Sequence, residues 1–245
     1  MNKISIIIIT FNEAHNIRAC LESVKWADEI IIVDSGSNDD TVAICKEFTH
    51  KVFVNDWPGF GAQKNKALSL ASNPWVLSLD ADEVVTSGLK DAIINTIQNP
   101  RQDAYYLLRR SYFLGKLIKH GNWSRDYVLR LFKKDKARFS LDPVHERLLV
   151  DGTCGKLPQL LLHYTQPTLA DALSKLNRYS SLGSEKKAQH TLSFLTPFLK
   201  GLWTFLRGYF FRGGFLDGKH GLILAILNAE ESYYKYLKAY LLCRK

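Results

Sequence analysis

The first 85 residues alternate short apolar runs with helical patterns, and this alternation restricts the fold more than any other feature of the chain. "KISIIIIT" reads as a buried strand, and "NEAHNIRACLESV" places Ile17, Cys20, Leu21 and Val24 at helical spacing. "DEIIIVDSGSNDDT" repeats the pattern with a strand and a Ser/Gly/Asp turn, leading into the helix "DDTVAICKEF". "KVFVND" is a third strand, "GAQKNKALSLA" a helix and "PWVLSL" a fourth strand. Strands and helices in this rhythm specify an α/β fold with a mostly parallel sheet and βαβ crossovers. Ligands of such sheets sit beyond the carboxyl ends of the strands. The polar clusters at 10–13, 34–40 and 80–83 all fall there, so one site built from three loops is expected.

After residue 100 the rhythm changes. "DAYYLLRRSYFLG", "YVLRLFKK" and "RLLVDG" read as strands, with little helix until "TLADALSKLNRYSSLGSEKKAQ". From residue 186 to the end, ten Lys/Arg stand against three Asp/Glu, so this stretch holds +7 of the chain's net +9, together with 12 of its 29 aromatics. The shift sets one expected boundary, between an α/β domain over 1–189 and a helical region over 190–245. The longest uncharged stretch there, 188–199, has 12 residues. A spanning helix needs ~20. Helices lying in a membrane interface, aromatics inserted and Lys/Arg facing anionic headgroups, are therefore expected. A helical cap or a dimer interface is the plainer alternative. The four cysteines are scattered without a CxxC pair, and "MNKISIIIITFNE" lacks the features of a signal peptide. The expected location is cytoplasmic, peripheral on the inner membrane, with no nucleic-acid partner.

The densest chemistry lies in "VLSLDADEVV", where Asp80, Asp82 and Glu83 follow a strand. Carboxylates crowded in this way repel one another unless a cation sits among them. Mg²⁺ or Mn²⁺ takes one or two carboxylates plus diphosphate oxygens; a solvated acidic turn is the alternative. The turn after the first strand lacks GxGxxG, and "TFNEAHN" offers hydroxyl, amide and carboxylate groups that suit a base or sugar. Asp34 can accept from a ribose or a base N–H. Asn12 and Asp39 also read as helix N-caps.

"SIIIITFNE", "VDSGSNDDT", "AQKNKAL" and "LSLDADE", in this order, resemble family 2 glycosyltransferases of the GT-A fold, over roughly residues 3–165. "RDYVLRLFKKDKARF" followed by "PVHERL", and "GFLDGKHGL" in the tail, resemble the lipopolysaccharide-core glucosyltransferases of that family. The resemblance implies inverting transfer of glucose from UDP-glucose to an inner-core heptose of a lipid A-core acceptor. It assigns Thr10, Asn12, Glu13 and Asp34 to a uridine pocket. Lys64 stands near the uracil and phosphates where many relatives carry arginine; lysine keeps the charge without the planar fork. Asp80 is placed toward the ribose or the outer shell of a divalent cation, Mg²⁺ or Mn²⁺, and Asp82 as its ligand. A sugar hydroxyl is a poor nucleophile, so a base must take its proton. Glu146 is the expected base, and the adjacent His145 is expected to ligate metal, contact phosphate or act as the base itself. Arg130 is read as pairing with the diphosphate or forming a structural salt bridge, and Trp123 as stacking on a sugar or filling the core.

Three other readings fit parts of the sequence. A polyprenyl-phosphate acceptor also suits a basic interfacial tail. "LDADEVV" fits the nucleophile loop of haloacid-dehalogenase-like phosphatases, but that loop usually follows the first strand rather than the fourth. A non-catalytic membrane adaptor leaves the acids at the sheet edge without a purpose.

Overall fold

Six of the seven residues of β1 (Ile4–Thr10) are buried, and its five isoleucines are stiff, β-branched side chains that favour a pleated surface. In the computed structural model, which describes residues 2–124, 126–142, 146–188 and 193–243, β1 lies inside a sheet. Its parallel neighbours are β2 (Glu29–Asp34) on one side, with β3 (Val52–Val54) beyond it, and β4 (Trp75–Asp80) on the other. The helices α1 (Ile17–Val24), α2 (Thr41–Lys46) and α3 (Phe60–Leu70) supply the crossovers. Side chains alternate across β1: Ile4, Ile6 and Ile8 join a core with Ile17, Leu21 and Val24 of α1, while Ile7 joins a second core with Ala67 and Leu68 of α3. Each fully buried isoleucine stabilises the layer by ~1.5–3 kcal/mol.

Beyond β4 the sheet turns antiparallel. The later strands are β5 (Glu83–Val85), β6 (Ala104–Phe113), β7 (Lys116–Leu117), β8 (Asp126–Lys133), β9 (Ala137–Phe139), β10 (Leu148–Val150) and β11 (Cys154–Gln166). The main sheet runs β3-β2-β1-β4-β8-β6-β11-β5, with β7 on β6, and β9 and β10 form a separate hairpin. The helix α4 (Ser87–Gln98) adds Leu89, Ile93 and Ile97 to the core that α1 faces.

The chain divides into two compact units, Met1–Arg109 with Asp126–His163, and Arg110–Arg125 with Tyr164–Lys245. The second contains α5 (Leu169–Lys187), α6 (Thr196–Leu206) and α7 (Gly218–Leu242), with α7 packed along both of the others. Phe113, Ile118, Ala172 and Leu224 form its core. Lys238 of α7 donates to Asn177 Oδ1 of α5 at 2.9 Å and to Ser180 Oγ at 2.8 Å. Among the described residues no helix is long and apolar enough to cross a membrane.

The sequence expectations differ from this in several places. The second unit includes α5 and residues 110–125, so the packing division differs from the compositional one at 189/190. The strands β5 and β11 and the helix α4 were not anticipated. The helix expected over 39–48 covers only Thr41–Lys46, with Asp39 outside it accepting the Thr41 N–H at 3.0 Å. Asn12 is not a helix cap, because α1 is preceded by Asn16, and Asn12 adopts φ 53° in the turn after β1.

Candidate active site at the carboxyl ends of the parallel strands

Register brings the three polar loops level: Thr10 pairs with Asp34 across β1 and β2, and Ile9 with Asp80 across β1 and β4. The first two loops are tied together by their own hydrogen bonds. The Asn12 N–H donates to Ser37 Oγ at 2.8 Å and the Asn38 N–H to Asn12 Oδ1 at 2.9 Å. The Glu13 N–H donates to Thr41 Oγ1 at 2.8 Å, and the Glu13 carboxylate accepts from Asn16 Nδ2 at 2.9 Å. Asp34 is fully buried and accepts from the N–H groups of Gly36 and Ser37, both at 2.8 Å, and from the Ser37 hydroxyl at 2.5 Å. Gly36, at φ +85°, permits that turn. The carboxylate of Asp34 therefore holds the shape of the loop. Thr10 is buried beside it, and its Oγ1 has no hydrogen-bond partner among the described residues.

The third loop carries an ion network. Asp80 ends β4 and pairs with the Arg130 guanidinium and, at 3.1 Å, with Lys64 Nζ. Lys64 is buried on α3 and also donates to Glu146 Oε1 at 2.9 Å. Glu83 is completely buried: its Oε1 accepts from Arg130 at 2.8 Å and Arg109 at 3.1 Å, and its Oε2 from the Asp80 N–H at 3.0 Å. Arg109 continues to Asp126 at 2.7 Å. Burial alone pushes the Asp80 carboxyl upward, but the charges of Arg130 and Lys64 outweigh it and hold the group well below the usual carboxylate range. Burial likewise opposes the charge on Arg130, and Asp80 and Glu83 overcome it. The acids that crowd this strand end are thus neutralised in part by cations of the protein itself. Asp82 stands apart from that network, with His163 Nε2 of β11 at 3.2 Å from its carboxylate.

Arg130, Lys64, Asp80 and Glu146 are thus brought together, and of the two roles foreseen for Arg130 its observed contacts are those of a salt bridge. His145 lies outside the described residues. Trp123 belongs to the second unit, where it packs edge-on to Phe113 at 6.0 Å between ring centroids. Glu83, Arg109 and His163 were not assigned from the sequence. Their ion-pair partners lie 17 to 81 positions away and are set by antiparallel strands that the αβ rhythm does not announce. The available signal was the charge placed inside "YYLLRR" and "LLLHYT", since strand residues of this apolar character seldom carry an unpaired charge. A separate cavity of about 810 Å³ opens at the opposite, amino ends of the strands, beside Lys3, Glu29, Lys51 and Ser72.

Among the described residues no three His, Cys, Asp or Glu side chains converge as a closed metal cage. Asp82, beside His163, offers one carboxylate and one imidazole. That donor set fits a divalent cation completed by ligand oxygens and water, and does not fit one held by protein alone.

Residues 5–149 match the family described as Glycosyl transferase family 2. An uncharacterized glycosyltransferase of Rickettsia felis is 32% identical to this chain, over 97% of it and 89% of its own length. The lipopolysaccharide core biosynthesis glycosyltransferase LpsC of Rhizobium meliloti is 29% identical, over 96% of this chain and 94% of its own. Glucosyl-3-phosphoglycerate synthase of Mycobacterium tuberculosis, at 22% identity and a TM-score of 0.39 over 44% of each chain, is too distant to carry an argument. The matched residues span β1 to β4, all three loops and the acid network, and on that basis the chain belongs to glycosyl transferase family 2, as a glycosyltransferase of the GT-A α/β fold.

Proposed function

We propose that this transferase moves glucose, with inversion, from UDP-glucose to an inner-core heptose of lipopolysaccharide. The observation that carries the reading is the shared position of Lys64, which links Asp80 on the donor side to Glu146, the candidate base. The similarity to LpsC along nearly its whole length supports a lipopolysaccharide-core acceptor. In this reading Thr10, Asn12 and Glu13 line the uridine pocket, and buried Asp34 keeps its turn in shape. Arg130, Arg109 and Glu83 act as positioning residues that fix Asp80. Asp82 holds Mg²⁺ or Mn²⁺, with His145 as a further candidate ligand. When bound, the cation offsets the charge of the diphosphate leaving group.

The residues of the chain then divide the work. Glu146 takes the proton of the acceptor hydroxyl as its oxygen bonds to the anomeric carbon. The bond from that carbon to the diphosphate breaks with its electron pair leaving on UDP, and attack from the opposite face inverts the centre. Lys64 must loosen from Glu146 for this to happen, and an incoming diphosphate offers its ammonium a stronger anionic partner. Donor binding would thereby release the base before the acceptor reacts. The basic, aromatic second unit suits an enzyme peripheral on the cytoplasmic face of the inner membrane, where a lipid A-core acceptor is presented.

A panel with purified protein tests the proposal. UDP-glucose and UDP-galactose are offered with Mg²⁺ or Mn²⁺ to a heptose-terminated lipooligosaccharide and to polyprenyl phosphate, with mass detection. Addition of one hexose to the lipooligosaccharide from UDP-glucose is expected. Addition to polyprenyl phosphate alone, or release of inorganic phosphate without transfer, overturns it.

A further inference from the structure

The motif "GFLDGKHGL" has no role in the chemistry above, and its place in the second unit supplies one. Asp217 is buried and its carboxylate accepts the N–H groups of Lys119 at 3.1 Å and His120 at 2.8 Å, with His120 Nδ1 at 3.2 Å. Its carbonyl accepts from Lys116 Nζ at 2.8 Å, and the Gly121 N–H reaches the Arg212 carbonyl at 2.9 Å. A Cβ on Gly214 would meet the Gly208 carbonyl at 2.7 Å, and one on Gly221 would meet the Gly214 carbonyl at 1.9 Å, so the glycines are what let this turn close. The consequence is that 116–121, remote in sequence from the tail, is fixed against 207–219.

Around this lock the surface has two characters. Trp203, Phe210, Phe211, Phe215 and Leu216 are half or more exposed, with Phe211 at 72%. Ring contacts join Trp203 to Phe211 at 5.9 Å, and Phe210 to Phe215 through Tyr209 at 5.1 and 6.2 Å between centroids, while Phe210 and Phe211, and Phe215 and Leu216, are neighbours in sequence. Lys116, Lys119, Arg212 and Lys219, all exposed, come from the segments that Asp217 joins. The second unit as a whole has sixteen Lys/Arg against five Asp/Glu, a net +11, whereas the first has seventeen against nineteen, a net −2. Exposed aromatics and exposed cations on segments joined in this way match a lipid surface bearing phosphate, whereas the centres of protein interfaces are depleted in charge.

We infer that 116–121 and 207–219 form a single face that docks on anionic lipid, the aromatic turn entering the interface and the lysines and arginines meeting headgroup phosphates. The inference rests on the peripheral-membrane reading and extends it to residues outside the tail. Flotation of the full chain with vesicles of phosphatidylglycerol and phosphatidylethanolamine, against pure phosphatidylcholine, tests both. Wild type is expected to bind only the anionic vesicles. Lys119→Glu should weaken that binding at least about fivefold, as each cation at such a surface contributes ~1 kcal/mol. The control K46E/K90E, which reverses two charges in the first unit, should bind like wild type. If Lys119→Glu melts abnormally, Lys119→Gln replaces it, with a loss of at least about twofold expected. Wild-type binding by a folded Lys119 variant overturns the inference and spares the tail reading. An equal loss in the control also overturns it, by making the effect one of net charge. Failure of wild type to bind anionic vesicles overturns the membrane reading itself. A wild-type dimer that dissociates in F211S/L216S assigns the face to a second copy of the chain and overturns the lipid proposal.

Discussion

Lys64 holds two carboxylates with one ammonium, Asp80 at 3.1 Å and Glu146 at 2.9 Å, and this bears directly on how the base is tested. Glu146→Gln keeps the shape of the side chain and removes its capacity to take a proton. It is expected to lower kcat by ~10²–10⁴, while UDP-glucose affinity measured by calorimetry is retained or rises, because Lys64 no longer has the Glu146 carboxylate to leave. If His145→Ala abolishes turnover and Glu146→Gln retains it, the base is His145. Single residues were unevenly legible in the sequence. Asp80, Asp82, Lys64 and Glu146 stood in motifs with a fixed order. Glu83 was visible only as a third acid in the loop, because its burial and its two arginine partners depend on β6 and β8 arriving beside β4.

At the scale of elements, the strands that can be read locally are those with β-branched runs closed by polar turns. β1, β2 and β4 meet that condition and their carboxyl ends carry the candidate site. β5 is three residues long and β11 is more than half partly or fully exposed, so neither has the apolar continuity that marks β1. The amino ends of the parallel strands are held by Glu29, which is bonded to Lys51 and the Ser5 hydroxyl, and to Ser72 through its N–H at 2.8 Å and hydroxyl at 2.6 Å. Burial pushes its carboxyl up, yet these bonds prevail and bring it from 4.5 to about 2. A depressed folded-state value contributes stability that is fully present above the ordinary carboxylate range and is lost as pH falls from about 4.5 toward 2. Glu29→Gln is therefore expected to cost on the order of 2–3 kcal/mol at pH 7, with the gap to wild type closing in acid. Urea unfolding across that range checks it, and a gap independent of pH contradicts it.

Over the whole molecule, charge and chemistry are unevenly divided: the first unit, net −2, holds the acid network, and the second, net +11, holds nine of the thirteen exposed aromatics among the described residues. The sequence displayed that asymmetry as a basic tail. It did not display that 110–125 belongs with the tail, since the association is made by the buried carboxylate of Asp217 across about a hundred residues. In the proposed function the loops closing β1, β2 and β4 bind a nucleotide diphosphate with a cation held by Asp82. Calorimetric titration of UDP into wild type and Asp82→Asn, with and without Mn²⁺, tests this. Wild type should bind UDP at least about tenfold more tightly with Mn²⁺ than without it, and Asp82→Asn should lose that enhancement because the amide no longer offsets the charge of the cation. Equal enhancement by Mn²⁺ in the two proteins contradicts the claim.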